Sequence, residues 1–215
     1  MPTPDSVGRP IDALLASYAA GSLSRPLHTL VASQLILASE NRGYVDALEA
    51  LKGNELEQGA PVAVSARDAK LAAIFALPQE NDTARQNGDD IFPAPLQDYI
   101  GRLAKDIPWR SKLPGLKEYV IEASEHGEAS LLWIKPGAAM PVHTHEGTEV
   151  TLVLSGGFSD AYGDYDRGDV AFADESIDHK PIADPVEGCI CFAVTDAPVR
   201  LTGPIGRIID RLLRR

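Results

Sequence analysis

Cysteine is nearly missing from this chain: Cys189 and Cys191 are the only two, so neither a disulfide framework nor a four-cysteine zinc site is available. Their setting, EGCICFAVT, reads as a strand. Side chains two apart on a strand share a face about 6–7 Å apart along it, an awkward span for a disulfide, and a reduced pair is expected. Long apolar runs are missing too. Nowhere do 18 uninterrupted apolar residues occur, and MPTPDSVGRP at the N-terminus lacks the basic segment and apolar stretch of an export signal. Membrane spans are therefore excluded and a cytoplasmic location is expected. Positive charge is also short. Twenty Lys and Arg against 31 Asp and Glu give a formal net charge of −11, which argues against direct nucleic-acid binding, because phosphate contacts need clustered cations. A basic protein surface is the better-matched partner.

What is present divides into a helical and a β-rich half. At 215 residues the chain exceeds the commonest single-domain size, and two compact domains are expected. In RPIDALLASYAAGSL, Ile11, Leu14, Leu15 and Tyr18 follow helical spacing, with Pro10 in the first turn and Gly21 at the stop. Ser24 and Pro26 open a second helix carrying Leu27, Leu30, Val31 and Leu35. Tyr44, Leu48 and Leu51 mark a third, and Ser65, with Asp68 three residues on, caps a fourth containing Leu71, Ile74 and Phe75. The polar, Gly- and Pro-bearing stretch between Pro78 and Pro95 reads as a linker. Beyond it, EYVIEAS, ASLLWIKPG, TEVTLVLSGGFSD, DVAFAD and CICFAVT are short β-rich runs separated by turn residues, the pattern of an antiparallel barrel or sandwich. The expected division is thus a helical bundle over 1–80, a linker over 81–96, a barrel over 97–200 and an amphipathic terminal helix over 201–215, the last with Ile205, Ile208, Ile209, Leu212 and Leu213 on one face.

The segment from Gly137 to Gly156, GAAMPVHTHEGTEVTLVLSG, carries the chemistry. Its spacing is G-x5-H-x-H-x3-E-x6-G. Strand periodicity puts His143, His145 and Glu149 on one face, pointing into one interior. His179 follows Gly168 by eleven residues, on a stretch expected to return antiparallel beside the first. Three imidazoles and a carboxylate suit Zn, Fe, Mn, Ni or Cu, and ligand type alone does not decide. Zinc is the leading expectation for the one divalent ion held by His143, His145, Glu149 and His179. His126 lacks such support and reads as a solvated histidine.

These residues resemble the cupin family. Gly137, His143, His145, Glu149 and Gly156 match the first cupin motif at every spacing, and Gly168 and His179 match the second, in which Asp174, Ser176 and Ala183 replace the usual Pro, Gly and Asn. The resemblance implies a double-stranded β-helix, or jelly-roll barrel, after a small helical bundle: an α+β multidomain chain. Over nearly the whole length, DALLASYAAGSLSRPLHTLVASQLILASENRGYVDALEAL and the later FSDAYGDYDRGDVAFADESIDHKP and GCICFAVTDAPVRLTGPIGR are similar to the ChrR-type anti-sigma factors. That similarity implies a helical domain that sequesters an extracytoplasmic-function sigma factor and a metal-binding cupin needed for release under oxidative stress. Family members carry zinc in the helical domain through an N-terminal His and an H-x3-C-x2-C motif. Here His28 aligns with the motif's His, but Ala32 and Leu35 occupy the cysteine positions. A lone imidazole cannot hold structural zinc, so none is expected in this domain. Ala32, Leu35 and Ile36 are expected to replace it with apolar packing.

Two readings follow. The first is a regulator, without turnover, whose cupin metal site gates the helical domain's grip on a sigma factor; a homodimer is compatible with it. The rival is a metal-dependent dioxygenase or other small-molecule cupin enzyme, since three His and one Glu support such chemistry when open positions face a pocket. Asp160, Asp164, Asp166 and Asp169 lack the downstream bidentate Glu of a calcium loop and read as a turn. Cys189 and Cys191 would sense redox state only with exposure and a lowered pKa.

Overall fold

The computed structural model describes residues 10–77, 90–125, 127–197 and, as backbone, 199–201. The histidine at 126 and the terminal helix expected over 201–215 lie essentially outside this range.

Helix α1 spans Pro10–Ala19, α2 Arg25–Leu37 and α3 Arg42–Glu57. They meet where the helical spacing places their apolar residues: Leu15, Val31, Leu35 and Val45 are buried together, with Ile11, Tyr18 and Leu23 around them. Gly21, at φ +68°, closes α1 by donating its N–H to the Tyr18 carbonyl, as a left-handed stop residue does. Ser24 sits at the N-cap of α2 but its side chain makes no capping bond. The fourth helix, α4, spans Arg67–Phe75. Its N-cap is Ala66 in the left-handed region (φ 53°) rather than Ser65, and none of its residues is buried. The fifth, α5 (Ala94–Ile100), begins inside the stretch read as linker. There Phe92 and Leu96 are fully buried, because apolar groups this large find cover against the barrel.

Among the described residues ten strands follow: β1 Arg110–Leu113, β2 Leu116–Ser124, β3 Gly127–Ile134, β4 His143–His145, β5 Glu149–Ser159, β6 Asp164–Asp166, β7 Val170–Ala173, β8 Ile182–Ala183, β9 Cys189–Thr195 and β10 Val199–Leu201. All pairings are antiparallel; the main sheet runs β1-β2-β3-β9-β5-β6, with β7 and β8 also on β5, while β10 pairs β4. Strand β5 serves both halves of the barrel: its first residues pair β7 and β9, its last pair β6 and β8.

Alternation sorts the side chains. Leu116, Ile134, Val153, Phe158, Cys189 and Cys191 fill the barrel interior. On the outer face, Ala129, Leu131, Val150, Leu152, Leu154, Phe192 and Val194 join Leu30 of α2, Phe92, Leu96 and Ile107 in one core. Helix α2 is therefore two-sided. Val31 and Leu35 face α1 and α3, while Leu30, flanked by Leu27 and Leu37, is embedded with the barrel strands. The cupin-motif residue Gly168 seats this contact, for a Cβ there would come within 3.3 Å of Leu37 and Ala38.

Gly156 marks the bend of β5. Its φ is +63°, and an added Cβ would lie 2.0 Å from the Gly188 carbonyl oxygen, a backbone atom that cannot rotate away. Gly156→Ala should therefore cost about 2–3 kcal/mol, from left-handed strain plus the clash. A lowered urea midpoint with an unchanged slope checks this; an unchanged midpoint would refute the packing.

Candidate metal centre

His143 and His145 form the ends of the three-residue strand β4, so both rings turn the same way, and both are buried. The chain then leaves the strand at 146–148 before β5 opens at Glu149. The H-x-H-x3-E segment is thus two strands and a turn rather than one continuous face. His179 arrives as expected from the returning segment. Its N–H donates to the His143 carbonyl (3.0 Å) and the His143 N–H donates to its carbonyl (3.1 Å), an antiparallel bridge that places the two rings side by side.

The three imidazoles converge. His143, His145 and His179 each offer a nitrogen, all within 4.8 Å of one another, and they form the one such group of ligand side chains found among the described residues. The His179 Nε2 lies 3.0 Å from that of His143 and 3.3 Å from that of His145. The other nitrogens decide what these short distances mean. The His143 Nδ1 donates to the Pro141 carbonyl (2.8 Å), and the His179 Nδ1 donates to the Asp160 carboxylate (2.9 Å). Carbonyl and carboxylate oxygens only accept, so in each neutral ring the proton sits on Nδ1 and Nε2 carries a bare lone pair. Two lone pairs 3.0 Å apart repel unless a cation lies between them. Burial lowers the pKa of His143 and lowers that of His145 to about 4, so protonation near neutral pH is not the remedy. The buried Nδ1 of His145 has no hydrogen-bond partner. Converging neutral donors of this kind fit a divalent metal.

Glu149 stands beside this triangle, not in it. One carboxylate oxygen accepts the Thr151 hydroxyl (2.9 Å) and the other lies 3.7 Å from the His145 Nδ1. Asp160 was missed by sequence reasoning, which absorbed it into an Asp-rich turn. It does form that turn, accepting the N–H groups of Tyr162 and Gly163, but its second oxygen reaches inward to His179. The cavity above the rings measures about 30 Å³ and is lined by Met140, Phe158, Tyr165 and Ile177 among others. That is room for an ion with bound water. Cys191 also lines it, with its Sγ 3.1 Å from that of Cys189. Both thiols are buried and unpaired as disulfide. The hydrogen bond with Cys189, and then burial, push the Cys191 pKa well up, opposite to what a reactive thiolate needs.

In the helical half, His28 is exposed and its ring lies against Tyr18, centroids 4.7 Å apart. Leu35 packs into the three-helix core as expected. Ile36 does not; it is 54% exposed.

The lowered histidine pKa values set a pH dependence for the metal-free chain. The unfolded rings take up protons below about 6.5, whereas folded His145 resists until about 4. Stability should be level above pH 6.5 and fall by about 2–3 kcal/mol as pH drops from 6.5 to 4. Denaturant titrations of chelated protein across that range measure it; a flat profile would show that these rings are not buried neutral.

Among known families, the ChrR cupin-like domain matches residues 99–198. Over 206 residues the chain is 38% identical to the anti-sigma-E factor ChrR of Cereibacter sphaeroides, covering 94% of this chain and 96% of that one. Among solved structures, Rhodobacter sphaeroides SigE in complex with the anti-sigma ChrR aligns with 39% identity and a TM-score of 0.72, covering 86% of this chain and 96% of that chain.

Proposed function

Because this chain belongs to the ChrR family of anti-sigma factors, we propose that it captures an extracytoplasmic-function sigma factor through its helical half and releases it when the metal centre of its barrel is perturbed. The observation that carries the reading is the likeness, over almost the full length of both chains, to a protein whose solved structure is a complex with a sigma factor. The helical half has the surface such a role needs. Ile74, Phe75 and Leu77, with Val62 and Val64 before α4, are 57–88% exposed, apolar side chains free to be buried by a partner. No helix among the described residues is long and apolar enough to cross a membrane.

On this reading His143, His145 and His179 hold a divalent ion, zinc in the first instance, with Glu149, which lines the same pocket, as the fourth ligand. A bound ion would supply a cross-link joining β4, the His179 segment and β5. The chain's own part is to convey the state of that cross-link. Glu149 and Thr151 face the centre, while the intervening Val150 and the following Leu152 pack in the core that contains Leu30 of α2. A shift of β5 therefore acts directly on the helix that also forms the sigma-facing bundle.

The test is co-purification of the full-length chain with a sigma factor of this class encoded beside it, followed by metal analysis. A stoichiometric complex carrying about one zinc per chain is expected. A chain that fails to retain any such sigma factor at micromolar concentration would sink the proposal.

A further inference from the structure

The three imidazoles differ in what their Nδ1 atoms meet. That of His143 is held by a backbone carbonyl, that of His145 makes no hydrogen bond and lies 3.7 Å from a Glu149 oxygen, and that of His179 is hydrogen-bonded to a carboxylate, Asp160. That carboxylate is 4% exposed and fully engaged: Oδ2 takes the His179 Nδ1–H at 2.9 Å, while Oδ1 takes the N–H of Tyr162 at 2.8 Å and of Gly163 at 3.2 Å. Its position depends on an irregularity in β5. Glu149, Thr151 and Val153 face the interior, so strict alternation would turn Ser155, Gly157 and Ser159 inward and Asp160 out. The pairing of β5 with β9 slips between Val153 and Ser155. Past that bulge the even residues face in, and Phe158 joins the interior cluster with Asp160 two residues beyond.

We propose that Asp160 is a positioning residue of the metal centre: it fixes His179 in the Nδ1–H tautomer, turns its Nε2 toward the ion and raises the basicity of the ring. The inference rests on the metal-centre reading above. An imidazole whose far nitrogen is free to rotate or to change tautomer offers its lone pair only part of the time, and a carboxylate partner removes that loss. Charge points the same way. The imidazoles contribute none, so Glu149 and Asp160 together match the two positive charges of a divalent cation in a largely buried site.

The experiment uses the full-length chain, its Asp160→Ala and Asp160→Asn variants, and zinc and cobalt as the only ligands. Zinc affinity is read by competition with a chromophoric chelator, ligand geometry by the visible absorption of the cobalt form, and fold integrity by melting of the metal-free protein. Asp160→Ala should weaken zinc binding about 10- to 100-fold and alter the cobalt spectrum. Asp160→Asn should recover part of the affinity, because its amide oxygen still accepts the Nδ1–H. A purely structural turn residue would instead lower the metal-free melting temperature while leaving the chelator constant and the cobalt spectrum as in the parent; that result overturns the assignment of Asp160 and leaves the centre standing. A parent chain that takes up no zinc removes the centre itself, and Asp160's role with it.

Discussion

Replacing His179 with alanine is expected to leave the sigma factor captured and to abolish its release under oxidative challenge. The capture surface proposed above lies on the helices, and His179 is remote from it in the chain, bonded instead to His143 and Asp160. Its loss removes one of three converging nitrogens and leaves Asp160 a buried carboxylate without its main partner. The site then no longer has two states for an oxidant to switch between. Release requires the two states to differ in sigma affinity by about 3 kcal/mol to change occupancy a hundredfold, and a site already broken supplies no such difference. Pull-down of the complex before and after exposure to singlet oxygen or a hydroperoxide gives the answer. Release by the variant to the same extent as the parent would separate the metal centre from regulation.

The second large effect concerns α4. Ile74 and Phe75 are 59% and 82% exposed on a helix with no buried residue, so replacing both by aspartate should leave the melting temperature of the free chain almost unchanged. Sigma affinity should fall roughly 1000-fold, about 4 kcal/mol, because exposed aromatic and aliphatic anchors carry a disproportionate share of interface energy and a buried carboxylate adds a desolvation cost. Calorimetric titration with purified sigma factor measures it. Unaltered affinity would place the grip elsewhere, on the exposed Leu51 and Leu56 of α3 in the first instance.

How legible the chain was depended on whether a feature is local. The first three helices follow from apolar spacing and stop residues within a dozen positions. The pair His143 and His145 follows from a two-residue repeat, and the return of His179 from a motif that occupies one stretch. The α5 helix was missed because seven residues, with Pro93 before them and Pro95 among them, show no sustained period; it exists because Phe92 and Leu96 are covered by the barrel. Ser65 has the right spacing for a capping box, yet the chain turns at Ala66, one residue later. Glu149 lies on the expected strand and in the expected pocket, but the turn at 146–148 sets it apart from the imidazoles.

By itself, then, the sequence determined the kind of donors, their order and the alternation that turns them inward, since rise per residue and side-chain period are properties of the backbone. Only the tertiary structure decided that Asp160 backs His179 and that Leu30 of α2 shares a core with Val150 and Leu152 of β5. The first depends on a bulge that reverses the parity of one strand, and the second on apolar surfaces more than a hundred residues apart leaving water together. Neither a pairing slip nor a distant burial leaves a mark in any short window of residues.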